Sequence, residues 1–407
     1  MKYKIALVFL LFFNFFFAQT AIKQDSVFAK KIKLFNTNFK EFEVVGNYIY
    51  ATTKGDSLIV FNLRNDKITK IISGVVSITK NSNNEIVFIN KQNKIIHYKT
   101  GKKKQIKIQF EPYILILDKN NNPIVISDKG LVYNDTIFEP LKIQNKHLFY
   151  RIKSRDDYRQ VFKKPDLVFL DSKNRLWLTY DRGEFGEDIL FFDIEKKVFF
   201  RDNYLFVFSN YSYEKADRGK YFEDLKKTYP DKIKTTETDT LFKFPNQLPI
   251  SIPIRGIVEK DAKFFVSQSL IHFSINSRLS LLYDFDKEDF YKSFDLTKTL
   301  LEFERYNQYE PDLHVNEFLG PLHLNKFNKS IYYYSDKGFF KIIEDNGKYD
   351  KEFIFKPLIN WSATNRNNLG ADINVTKFEF ISEKELVFLT TNNGIGYYNG
   401  TEVKYFQ

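Results

Sequence analysis

"FLDSKNRLWLTYDRG", Phe169 to Gly183, reads as a compact unit: an apolar lead-in, a polar turn over Asp171 to Arg175, an apolar run from Leu176, and a second turn. Asn and Asp tolerate the left-handed backbone of tight turns, and short aromatic or β-branched runs between such turns read as strands. With Leu176 as anchor, equivalent runs start at Ile49 ("IYAT"), Ile86 ("IVFI"), Ile124 ("IVIS"), Phe264 ("FFVS"), Ile331 ("IYYY") and Leu386 ("LVFL"). Each follows a polar turn. Most lead to a second run such as "LIVFNL", "DILFFDI" or "GIGYYNG", and often to a third such as "KKVFF" or "KEFIF".

The repeating unit is therefore four short strands, and self-similarity at this spacing marks a stacked repeat architecture. Four antiparallel strands cannot bury both of their faces alone, so the blades must stack around an axis and close a ring. The expected fold is all-β, a seven-bladed β-propeller with loop and helical insertions on one face. Eight blades is the alternative, because the interval from Leu176 to Phe264 is the longest. Trp177 is expected between blades and Asp171 to Arg175 in a turn.

These residues resemble the two-component-regulator propeller family, whose repeat reads roughly Leu-x-x-Asp-x-x-Gly-x-Leu-Trp-x-x-Thr followed by Gly-Leu. Asp171, Leu176, Trp177 and Thr179 match in the fourth unit, where Asn174 replaces the turn glycine. Thinner matches are Asp118, Asn122, Gly130 and Leu131 in the third, Gly338 in the sixth, and Thr390, Thr391, Gly394 and Ile395 in the seventh. The resemblance implies a sensor half of a signalling system. With Gln407 directly after the last unit and no kinase domain, sensing would require a separate partner.

Residues 1–18 read as a signal peptide: Lys2 and Lys4 precede an apolar run, Ile5 to Ala18, that is short for a bilayer span. Cleavage after Ala18 is expected, with Ala21 as the alternative. The remaining 19–407 is expected to be a single propeller domain, periplasmic or secreted, with no transmembrane segment after cleavage. Cysteine is absent, which excludes disulfides, thiolate metal sites, a cysteine nucleophile and a lipidated N-terminal cysteine. A large exported chain without disulfides must be held by its core, and the 43% hydrophobic content suffices for one. The abundance of Lys, Asn, Ile and Phe suggests a bacterial source.

The net charge of +11 becomes +9 without Lys2 and Lys4. Its clearest concentration runs from Lys91 to Lys107, with seven lysines and no acid. Such a stripe suits a polyanion, but a solvated hairpin is the simpler reading. Nucleic acid is not an expected partner of an exported protein.

Four insertions are expected, at about 142–166, 202–253, 286–320 and 356–375. Each follows the third or fourth strand of one unit and precedes the next, so all would emerge on one face and crowd one side of it. The stretch Tyr213 to Tyr229 has weak amphipathic helical character ending at Pro230. Loops on a rigid scaffold are where binding residues concentrate. Candidate ligand-binding residues are therefore Arg151, Arg155, Arg182, Tyr211, Tyr306, Tyr309, Trp361 and Arg366, because aromatic faces beside Arg suit peptides or sugars. Packing of the insertions onto the propeller explains any single aromatic equally simply.

Catalytic motifs are missing: there is no Gly-x-Ser-x-Gly, no phosphate-binding Gly-x-x-x-x-Gly-Lys and no His-Glu-x-x-His. The five histidines show no ligand spacing, and "DFDKED" from Asp284 lacks the glycine of a calcium loop. No metal or cofactor is expected. Glu184, Glu187 and Asp188 in "EFGED" are the only catalytic candidates, as an acid and base pair acting on polysaccharide. The leading expectation is an exported binding or sensing module that recognises a ligand or protein partner through its insertion-bearing face. The alternatives are a glycoside hydrolase or lyase and an envelope-complex scaffold, and fold alone does not choose between them.

Overall fold

A computed structural model describes residues 26–32, 38–140, 148–153, 158–183, 186–200, 252–271, 275–283, 294–301, 303–305, 313–358, 375–391 and 393–407. The first strand, β1 (Ser26–Ile32), stands outside the repeats. Blade 1 holds β2 (Phe39–Val45), β3 (Tyr48–Thr53), β4 (Ser57–Asn62) and β5 (Lys67–Ser73). Blade 2 holds β6 (Val75–Lys80), β7 (Ile86–Asn90), β8 (Lys94–His97) and β9 (Lys103–Gln105). Blade 3 holds β10 (Pro112–Leu117), β11 (Pro123–Ser127), β12 (Gly130–Tyr133) and β13 (Thr136–Phe138). A hairpin, β14 (Phe149–Lys153) with β15 (Tyr158–Phe162), leads to blade 4: β16 (Leu167–Leu170), β17 (Arg175–Asp181), β18 (Glu187–Asp193) and β19 (Val198–Phe200).

Blade 5 holds β20 (Ile254–Lys260), β21 (Lys263–Ile271), β22 (Ile275–Tyr283) and β23 (Phe294–Asp295). A single helical turn, α1 (Thr297–Leu300), and a hairpin, β24 (Phe303–Arg305) with β25 (Leu313–Val315), connect it to blade 6. Blade 6 holds β26 (Leu319–Asn325), β27 (Ser330–Ser335), β28 (Gly338–Asp345) and β29 (Lys348–Leu358), and blade 7 holds β30 (Val375–Phe380), β31 (Leu386–Thr390), β32 (Ile395–Tyr398) and β33 (Val403–Phe406). All seven blades are antiparallel in chain order, so the fold is a seven-bladed propeller, not an eight-bladed one.

Closure of the ring is visible in the packing. Side chains of successive strand residues point to opposite faces, so each second strand feeds two interfaces at once. Leu176 and Leu178 pack with Ile124 and Ile126 of blade 3, while Trp177 between them packs with Phe264 and Val266 of blade 5. Blade 7 meets blade 1 in the same way, with Val387, Leu389 and Phe406 against Phe42, Ile49 and Phe61. Each such side chain contributes roughly 1.5–3 kcal/mol on burial, so the interfaces carry the stability that disulfides would otherwise supply.

The opening stretch owes its turn to one carboxylate. Asp171 accepts the backbone N–H of Lys173 at 3.0 Å and of Arg175 at 2.9 Å, the Arg175 Nε–H at 2.7 Å and the Trp177 indole N–H at 3.0 Å. Asn174 lies at φ 62°, the left-handed position where the repeat otherwise carries glycine. Trp177 is fully buried between blades 4 and 5. Asp118 makes the same turn in blade 3, accepting from the backbone N–H groups of Asn120 and Asn122.

That equivalence corrects one anchor. Counting from Asp118 as from Asp171, the partner of Leu176 is Pro123, not Ile124, and Ile124 faces blade 4 where the other anchors face the preceding blade. Ile124, Val125 and Ile126 are all buried, so no alternation marked the register, and Pro is tolerated as the first residue of a strand. Elsewhere, β14 and β15 lie within the stretch read as the first insertion. β23 lies within the third, so residues 284–293 join two strands of one blade and not two blades. The signal peptide and the helix expected at 213–229 fall outside the described residues.

Glycine at the turn between second and third strands has a steric cause. Gly130 has φ +118°, and a Cβ there would lie 2.4 Å from the Phe138 carbonyl oxygen; at Gly394, φ +74°, the Phe406 carbonyl would be 2.1 Å away. The third strand starts so close to the fourth that no side chain fits.

β1 extends the last blades outward. It runs parallel to β29 through Ser26, Val27 and Phe28 and parallel to β33 through Ala29 to Ile32, joining blades 6 and 7 into one nine-stranded sheet.

Candidate functional site

The inter-blade connections and the turns between second and third strands share one face. Six of the seven first strands carry a β-bulge near their start at this face, in blades 1, 2, 3, 5, 6 and 7. A bulge turns a strand and re-aims a side chain. In blades 1, 2 and 3 the bulged positions are Lys40, Val76 and Tyr113, and all three line one cleft of about 520 Å³.

Asp56 and Lys91, from second-to-third-strand turns, complete the cleft together with Phe110, Glu111, Pro112 and Lys164. Lys40 lies 2.8 Å and Lys91 3.0 Å from the Asp56 carboxylate. Partial burial opposes ionisation of Asp56, but hydrogen bonds and charge from the two lysines prevail and hold its carboxyl below the usual range. The cleft therefore presents a fixed ion triplet beside Tyr113, with Lys164 and Glu111 as further charges. It is lined by residues of blades 1 to 3 and by Lys164 ahead of blade 4.

On the other side Arg255, the bulged residue of blade 5, ties three blades together. It donates to Asp181 of blade 4 at 2.8 Å and to the Ser269 carbonyl at 2.9 Å, and its guanidinium lies 5.7 Å from the Phe318 ring centre. The Asp181 backbone N–H in turn donates to Asp166, whose carboxyl burial pushes up. Nearer the axis, Lys377 of blade 7 sits 2.9 Å and Lys80 of blade 2 3.5 Å from Glu43 of blade 1, an ionic clasp across the ring seam.

Glu187 and Asp188 are successive residues of β18 and are buried. Successive strand residues point to opposite faces. Glu187 therefore lies on the blade 5 side with Thr179 and Asp181, and Asp188 on the blade 3 side opposite Tyr180. The two do not converge on one point. Burial raises the Glu187 carboxyl well above the usual range, against the Ile254 backbone, the Thr179 hydroxyl and the Arg255 charge. Asp188 pairs with Arg182 at 3.5 Å.

Arg151 lies in β14 opposite Gln160, and Arg182 in the turn after β17. Glu184, Arg155, Tyr211, Tyr306, Tyr309, Trp361 and Arg366 lie outside the described residues. The cleft residues escaped sequence reasoning because a bulge leaves no mark in apolar alternation. Among the described residues no three His, Asp or Glu side chains are grouped to hold a metal ion, and no helix is long and apolar enough to cross a membrane.

No family model matches the chain. No curated protein matches it either. Among solved structures, it is similar to the extracellular domain of BT3049 from B. thetaiotaomicron, assigned to a hybrid two component system, at 13% identity and TM-score 0.43 over 90% of this chain. The chain spans only 39% of that protein's length. It is also similar to PorZ, a surface component of the type-IX secretion system of Porphyromonas gingivalis, at 12% identity and TM-score 0.42, over 90% of this chain and 47% of that one. YCF48 bound to D1 peptide matches at 7% identity and TM-score 0.45, over 91% of this chain and 92% of that one. The sheet order and the closed set of blade interfaces define the propeller.

Proposed function

We propose that this chain is an exported propeller that binds a ligand or protein partner through its insertion-bearing face, with the cleft at blades 1 to 3 as the ligand's seat. The observation that carries this reading is the recruitment of bulged residues from three successive blades into one polar cleft, whose volume falls within the roughly 300–1,000 Å³ of small-ligand sites. A rigid ring presets Lys40, Lys91 and Tyr113, so little ordering cost opposes binding. In a sensing role the same occupancy would be read by a separate envelope protein on the neighbouring insertions.

The test is a thermal-shift screen of the mature chain against short peptides and oligosaccharides, repeated on Tyr113→Ala. A compound that raises the melting midpoint of the wild type and not of the variant supports the cleft. Equal shifts in both proteins, or none from any compound at millimolar concentration, would overturn it.

A further inference from the structure

The lysines between Lys91 and Lys107 form a built surface. All seven are exposed. They decorate β8, β9 and the flanking turns, which form the outer edge of blade 2. Lys91 reaches Asp56 and Lys104 lies 3.8 Å from Asp135, but Lys94, Lys99, Lys102, Lys103 and Lys107 have no acidic partner among the described residues.

The carboxylate nearest the turn is already engaged. Glu85 accepts the Thr100 N–H at 3.0 Å and faces His97 Nδ1 at 3.2 Å. Backbone bonds from Gly101 to the His97 carbonyl and from His97 to the Lys102 carbonyl close the turn, with Gly101 at φ 69°. Glu85 thus fixes the lysine turn without neutralising it.

Register places an aromatic ring among these charges. Lys103 pairs with Ile96, so Lys94, Ile96, Tyr98 and Lys103 share the side of the sheet that faces blade 1. From the edge of blade 1, Lys70 sets its ammonium 4.8 Å from the centre of the Tyr98 ring. Tyr98 is half-buried, braced edge-on by Tyr50 at 5.2 Å. The result is a strip along two neighbouring blade edges in which Lys70 and the lysines of blade 2 surround the Tyr98 ring.

We propose that this edge is a docking track for a linear acidic polysaccharide, one bearing carboxylate or sulfate groups on its sugar rings. The lysines offer point charges for the acidic groups, and Lys70, held over the Tyr98 ring, adds one from the neighbouring blade. Lysine without arginine suits dispersed anions better than the forked recognition of phosphate. A flat anionic bilayer fits less well, because the exposed Asp135 of blade 3 lies 3.8 Å from Lys104 at the flank of the track and would face it. Of the seven lysines only Lys91 also lines the cleft, and the track does not depend on it.

The test measures binding of the mature chain to polygalacturonate at low and moderate salt, with neutral dextran, phosphatidylglycerol vesicles and single-stranded DNA in parallel. The variant Lys99→Gln/Lys102→Gln/Lys103→Gln is compared with Lys326→Gln/Lys329→Gln/Lys384→Gln, which removes equal charge from exposed turns of blades 6 and 7. Salt-sensitive binding to polygalacturonate, weakened about tenfold in the first variant and little changed in the second, is expected, since single exposed contacts are weak and add. Equal loss in both variants, no binding at low salt, or tighter binding to vesicles or DNA would overturn the proposal.

Discussion

Replacing Asp171 by Ala tests whether one buried carboxylate organises the blade 4 turn. The carboxylate takes four donors, of which one is the Arg175 guanidinium and one the Trp177 indole, and its side chain is fully buried. Removing one partner of a buried ion pair leaves the other charge desolvated, which costs about 3–5 kcal/mol. Asp118→Ala removes the equivalent group in blade 3, where the side-chain donors are neutral, the Asn122 amide and the Tyr133 hydroxyl at 3.0 Å. That loss should be nearer about 1–3 kcal/mol, the desolvation penalty of neutral groups. Urea unfolding followed by tryptophan fluorescence reports both, and the double variant Asp171→Ala/Arg175→Met should recover part of the loss. A loss below about 1 kcal/mol for Asp171→Ala, or one equal to that of Asp118→Ala, would refute the view that the buried charge pair holds the turn.

Three further outcomes are expected. Gly130→Ala meets the Phe138 carbonyl and a positive φ together, so it should destabilise by about 1–3 kcal/mol, while Gly46→Ala, with open space around it, should cost less; chemical denaturation of both gives the comparison. Burial raises the Glu187 carboxyl in the folded chain, so between the ordinary carboxylate range and that higher value the native state holds the extra proton and stability falls as pH rises. Glu187→Gln should therefore melt higher than the wild type at pH about 8, with the gap closing below pH about 4, as thermal scans across pH would show. Deleting residues 26–32 should leave the ring folded but raise amide exchange at Lys356–Leu358 and Val403–Phe406, and loss of all blade protection would contradict that placement of β1.

What the sequence revealed follows from which forces write themselves into residue type. Second strands bury both faces, so "LWLT", "FFVS" and "LVFL" announced themselves as apolar runs, and Asp171, Gly130 and Gly394 marked turns because only those residue types suit the backbone there. The same two-sided burial hid the register of blade 3, where three apolar residues in a row let Ile124 stand in for Pro123. β1 was invisible because parallel pairing to distant strands needs no adjacent turn. The cleft was invisible because Lys40, Val76 and Tyr113 share a geometric event, a bulge, and not a residue type. Candidates such as Glu187 and Asp188 were legible as acids, but only the pairing register showed that they face different interfaces.

The position of β1 also sets an order of assembly. Blades 1 to 6 are each contiguous in the chain and can form one after another as synthesis proceeds, yet β1 has nothing to pair with until Lys356–Leu358 exists and only half its length is held until Val403–Phe406 follows. The Gln407 backbone N–H then donates to the Ile32 carbonyl at 3.0 Å, extending the parallel pairing by one more bond at the end of β1. Of the described strands, the first to be made is the last to find all its partners, so its full pairing requires blades 6 and 7 to be in place.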